Sequence, residues 1–234
     1  MSVLSETKIL ANIYTRDLTI NPLNIEFIQP SSIDLTLDDN IEIPKPDIRI
    51  TPPYPNREEI RNSFIKSTLA NSFVLRPGQF ILGQVRETLE LSDKLVGSVQ
   101  NRNSIIRLGI NVGLSTYINP GYKGKLPIAI HNIGNFDVEL VAGMRICQLV
   151  LHDTSGVIHG YGKREHSKYH DEGEITLSRL SEDSEFKEYM ARYNKDNIRH
   201  NKHIADFLEA RINESAKSFL DKLTPEQKSE LGLA

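Results

Sequence analysis

Between Phe73 and Leu151 the chain breaks into short apolar runs separated by turn residues: Phe73 to Leu75, Phe80 to Val85, Leu95 to Val99, Ile110 to Val112, Leu126 to Ile130, Val138 to Val141 and Ile146 to Leu151. Many short strands at this spacing indicate an all-β barrel or sandwich rather than alternating strands and helices. Arg76-Pro77-Gly78-Gln79 has proline second and glycine third, the pattern of a type II turn. Pro127 lacks the N–H that a ladder needs, so its run belongs at an edge or carries a bulge. From Ile33 to Ile43 apolar and polar residues alternate as in a half-buried strand. Pro44, Pro46, Pro52, Pro53 and Pro55 then predict an extended surface excursion. Val3, Leu4, Ile9, Leu10 and Ile13 stand near helical spacing behind Ser5, a suitable N-cap.

After Leu180 the composition turns charged and helical. Phe186, Tyr189, Met190 and Tyr193 form one apolar stripe; Ile204, Phe207, Leu208, Ile212, Phe219, Leu220 and Leu223 form another. The two stripes suggest a helical hairpin for contacts with a second subunit or another protein. Thr224-Pro225-Glu226-Gln227 has a capping Thr and a first-turn proline, the start of a final short helix. The expected organisation is a β domain over residues 1–182 and a helical extension over residues 183–234.

A chain of 234 residues buries about 70 to 75% of its unfolded surface, so one full domain with an appendage is within reach. Twenty-eight basic and 31 acidic residues leave a net charge of -3, which gives no overall attraction to nucleic acid or to an anionic membrane. Cys147 has no second cysteine to pair with, which fits a reducing cytoplasm, and its apolar neighbours make it a small buried hydrophobe. No window approaches the ~18 apolar residues of a membrane helix, and no secretory h-region opens the chain. The expectation is a soluble cytoplasmic protein.

Any anion site is therefore local, and one segment has the residues for it. Asn101-Arg102-Asn103-Ser104-Ile105-Ile106-Arg107-Leu108-Gly109 sets two arginines and short polar side chains close together. Ile118-Asn119-Pro120-Gly121-Tyr122-Lys123-Gly124 is a turn-rich run, followed by Lys125-Leu126-Pro127-Ile128-Ala129-Ile130-His131-Asn132 and by Gly143-Met144-Arg145-Ile146-Cys147-Gln148-Leu149. Guanidinium forks with neutral donors suit phosphate groups.

These runs, in this order, resemble the dCTP deaminase and dUTP pyrophosphatase superfamily, and its dCTP deaminase branch more closely. Pro30-Ser31-Ser32-Ile33-Asp34-Leu35-Thr36-Leu37 and the tail Ser167-Lys168-Tyr169-His170-Asp171-Glu172-Gly173 extend the resemblance over residues 1–182. It implies a mainly β fold, a distorted barrel or jelly roll with short helices, assembled as a homotrimer with pockets between subunits. It also implies a pyrimidine deoxynucleotide ligand, with Mg²⁺ carried by the nucleotide phosphates rather than by protein ligands. Arg102, Asn103, Ser104, Arg107 and Gln148 fall at its phosphate positions, Asn119 at its pyrimidine side, and Lys168 and Tyr169 in its closing tail.

The chain departs from the family where chemistry is needed. The deaminase glutamate, which moves protons between water and the ring, falls at Ala129. The pyrophosphatase aspartate falls at Asn119, a very poor base. A family serine beside the arginine is Asn103. His131, two residues beyond Ala129 and on the same strand face, is the candidate substitute base. No His-x-Glu with a downstream Cys pair is present, so zinc chemistry is not expected. His166 and His170 stand four apart in non-helical surroundings, which favours a lid over a metal site. Three readings follow: a catalytically altered nucleotide binder acting as sensor, sponge or regulator; an active deaminase or dUTP hydrolase with a substitute base; and an interaction module without nucleotide binding.

Overall fold

The computed structural model describes residues 2–50, 56–70, 72–113, 116–165, 167–171, 173–222 and 224. It divides into two compact units, Met1–Arg49 with Arg57–Ser178, and Ile50–Asn56 with Arg179–Ala234.

The strands of the first unit are β1 (Leu18–Asn21), β2 (Ile28–Gln29), β3 (Ser32–Thr36), β4 (Asn40–Pro44), β5 (Phe64–Thr68), β6 (Phe73–Leu75), β7 (Phe80–Leu91), β8 (Leu95–Asn101), β9 (Ile110–Val112), β10 (Thr116–Ile118), β11 (Lys123–Asn132), β12 (Val138–Leu140) and β13 (Arg145–Asp153). Its helices are α1 (Glu6–Tyr14), α2 (Arg57–Asn62) and α3 (Asn103–Ile106). All pairings are antiparallel. One sheet runs β5-β4-β7-β11-β9 with β1 also on β7, a second runs β10-β8-β13-β3-β2, and β12 pairs β6 alone. No closed barrel forms among the described residues.

Ile81, Val85, Leu89, Ile128 and Ile130 from the first sheet and Leu35, Leu149 and Leu151 from the second belong to one buried core. Each such side chain, once buried, contributes about 1.5 to 3 kcal/mol relative to exposure. Along β7 and β11 the alternate positions are exposed or half-buried, as alternation requires, except for Gln84, which is buried against Asp38.

The expected strand from Ile33 to Ile43 is instead two strands in different sheets. The chain crosses at Leu37, whose N–H donates to Met144 O at 3.0 Å, and Asp38 N–H then donates to Gln84 O at 2.9 Å. β3 is buried on both faces, so its polar residues Ser32, Asp34 and Thr36 point into the molecule. The type II turn is present, with Gly78 at φ 75° and Gln79 N–H on Arg76 O at 3.0 Å. Pro127 sits at a bulge in the β11–β7 ladder, and β9 pairs with β11 only beyond it, at Ile130–Asn132. β7 extends to Leu91 because Arg86 and Glu90, whose charges hid the strand in sequence, simply face out.

In the second unit a single helix, α4 (Ser184–Lys222), replaces the expected hairpin. Residues 184–222 contain no glycine or proline to end a helix between the two apolar stripes. Phe186, Tyr189 and Tyr193 form a ring ladder with centroids 6.3 Å apart, and Phe207 and Ile212 are exposed. The expected final helix at 224–227 and the expected lid around His166 and His170 extend beyond the described residues.

Candidate functional site

β8 delivers Asn101 to the start of the anion segment. The Asn101 side chain fixes the exit: its Oδ1 accepts Val112 N–H at 2.7 Å and its Nδ2 donates to Asn111 Oδ1 at 3.0 Å. Arg102 is still extended, and one helical turn, α3, carries Asn103 and Ser104 outward while Ile105 enters the core. Gly109 closes the segment at φ 76°, where an added Cβ would stand 2.7 Å from Gly134 Cα.

The outcome is a cleft of about 440 Å³. Arg102, Asn103, Ser104 and Arg107 line one side; Gln29, Ser32, Asp34 and Gln148 line the other. Five residues that the sequence nominated for nucleotide binding are thereby brought together from α3 with its two capping residues and from β13. Gln148 lies opposite Gln100 and Asp34 in the second sheet. Ser32 Oγ approaches Gln148 Oε1 at 3.5 Å, which leaves the amide nitrogen as a donor.

Asp34, 4% exposed, organises the cleft floor. Its Oδ2 takes Arg102 Nε at 3.2 Å and Arg145 Nη1 at 3.2 Å. Arg102 Nη1 also donates to the Arg145 carbonyl at 3.3 Å. Arg107 is exposed and makes no ion pair among the described residues. Neither Asp34 nor Arg145 was nominated by the sequence, because their contact spans 111 positions. The Cys147 thiol on β13 is pushed up by burial and then by the carboxylates of Glu87 and Asp34, so it is inert as a nucleophile.

The remaining nominated residues lie elsewhere in the unit. Asn119 is exposed on a turn closed by Tyr122 N–H on Asn119 O at 3.1 Å. Lys168 and Tyr169 belong to a tail docked on that same turn: Tyr161 N–H donates to Pro120 O at 2.7 Å, Asp171 N–H to Lys123 O at 2.8 Å, and Tyr169 N–H to the Tyr161 hydroxyl at 3.1 Å. None of the three lines the arginine cleft within this chain.

Ala129 is half-buried on β11, opposite Leu82 of β7, and its carbonyl accepts Gly113 N–H at 2.9 Å. His131 follows on the same face, exposed, opposite Phe80 and Asn111. Two carboxylates serve this face of the sheet. Glu42 pairs with Leu82 from the other side and is 2% exposed, held by both terminal nitrogens of Arg61. Asp38 accepts Lys125 Nζ at 2.6 Å and Gln84 Nε2 at 2.8 Å. Burial pushes the Asp38 carboxyl up, but Lys125, Gln84 and the Asp39 amide outweigh it and hold it below its ordinary value. Both acids are committed to cations.

The sequence profile of dCTP deaminase-like proteins matches residues 3–154. The dUMP-forming dCTP deaminase of Halobacterium salinarum is 34% identical over 192 residues, covering 79% of this chain and 97% of that protein. That of Dictyoglomus turgidum is 37% identical over 187 residues, covering 77% and 96%. Among solved structures, the dCTP deaminase of Agrobacterium tumefaciens superposes with a TM-score of 0.53 at 21% identity, over 65% of this chain; the match spans about half of that chain, 48%. At that identity the superposition speaks for the fold alone, whereas the profile and the relatives settle the lineage. The chain belongs to the dCTP deaminase-like family.

Proposed function

We propose that this protein binds a pyrimidine deoxynucleoside triphosphate without turning it over. The observation that carries the reading is the contrast between two places in one unit. The cleft keeps Arg102, Ser104, Arg107 and Gln148 as donors for phosphate. The face that would need a proton carrier has a methyl group at Ala129, while Glu42 and Asp38 are each tied to a cation. Deamination needs a group that takes a proton from water and returns it to the ring, and such catalysis is worth about 10² to 10⁴-fold.

Magnesium fits this reading as a companion of the phosphates. Asp34 is the acid lining the cleft, and its Oδ2 is shared by two guanidiniums, so a bound ion would draw its ligands from phosphate oxygens and water. Completion of the pocket by Asn119, Lys168 and Tyr169 requires a neighbouring subunit, which is the place of homotrimerisation in the proposal. The names of the relatives favour a second reading, an active dCTP deaminase, in which His131 would be the substitute base.

Arg107→Ala tests the binding half. A charge-assisted contact to phosphate contributes about 1.5 to 3 kcal/mol, so calorimetric titration with dCTP and dUTP should show at least a tenfold loss, while the melting temperature stays close to that of the parent. Unchanged affinity in the folded variant would remove the cleft from the account.

A further inference from the structure

Asp34 carries one negative charge and holds two guanidiniums, and Arg107 stands beside them without an ion pair among the described residues. This group is therefore cationic in excess, with two of its three guanidiniums anchored on the buried Asp34 carboxylate. Arg145 is fixed from two directions. Its Nη1 meets Asp34 Oδ2 at 3.2 Å, and its guanidinium lies 5.3 Å from the centroid of the Phe27 ring. Its backbone carbonyl meanwhile receives Arg102 Nη1, so the two arginines are ordered as one assembly. The Arg145 side chain is still 41% exposed, and of an arginine's five N–H donors a single one is engaged with Asp34.

We propose that Arg145, which stands on β13 beside the cleft and is joined to its lining through Asp34, is a third phosphate-contacting guanidinium of this site. The proposal rests on the triphosphate-binding reading and extends it by one residue. Arg102 and Arg107, separated by a single helical turn, flank one phosphate. Arg145, set apart from that turn by Asp34, meets a different group of the chain. A planar fork already held by a carboxylate and a ring loses little freedom on meeting a phosphate, which favours Arg over Lys at this position.

Arg145→Met and Arg145→Lys, with the parent protein, should be titrated with dCTP and dUTP over a series of salt concentrations. The Met variant should lose about ten- to a hundredfold in affinity and show a shallower dependence on salt, because a screened contact has been removed. The Lys variant should retain the salt dependence and recover part of the affinity. Unchanged affinity in the Met variant, or a loss that leaves the salt dependence as it was, overturns the assignment of Arg145. Should the Met variant fail to fold, the Lys variant decides: full parental affinity would show that the fork is not used. Absence of binding by the parent protein would instead remove the underlying reading, and the assignment with it.

Discussion

A methyl group at position 129 and an imidazole at position 131 share one side of β11, and they differ in surroundings as well as in chemistry. Ala129 is half-buried between neighbouring strands, whereas His131 is exposed and makes no side-chain hydrogen bond with any described residue. A base needs an orienting group to hold its proton-accepting nitrogen toward the reacting water, and His131 has none among the described residues. His131→Ala should therefore leave dCTP affinity and melting temperature unchanged; a large fall in affinity would give the imidazole a direct role. The cleft residues Arg102, Ser104, Arg107 and Gln148 were legible because one helical turn with its flanks and one strand carry them close in sequence or in a recognisable run. Asp34 and Arg145 were not. Their roles follow from a pairing of β3 with β13 that no local pattern reveals, and from the burial of both faces of β3.

At the scale of elements, the sequence located the short strands between Phe73 and Leu151 but not their full extents. Charged outward residues such as Arg86 and Glu90 concealed the end of β7, and the polar β5 was invisible until β4 gave it a ladder to join. The crossing at Leu37 divides one alternating run between two sheets and places Asp38 against Gln84 and Lys125. This small polar cluster joins the crossing to β7 and β11, and it makes a pH prediction. The folded Asp38 carboxyl lies below its ordinary 3.8, so the charged form is favoured by folding. Its contribution is fully present above 3.8 and is lost as the pH falls through the lower folded value. Denaturant melts should show the stability gap between parent and Asp38→Asn shrinking across that acid range; a gap that does not change with pH would contradict the assigned contacts.

For the whole molecule, family membership and a sheet-rich fold were both readable from ordered motifs, because those motifs pin backbone turns and ligand-facing positions together. The form of the second unit was less so: apolar stripes mark helical faces but not where a helix turns back, and without glycine or proline α4 continues through both. The central claim is the proposal that nucleotide binding occurs here without proton transfer. The direct test is to incubate the purified protein with dCTP and with dUTP in magnesium-containing buffer, follow its thermal stability, and separate the nucleotides by chromatography afterwards. Saturable stabilisation by at least one of them, with that nucleotide recovered intact, is the outcome that this account predicts. Conversion of dCTP to dUTP or dUMP, or cleavage of dUTP to dUMP, at rates proportional to protein concentration would contradict it.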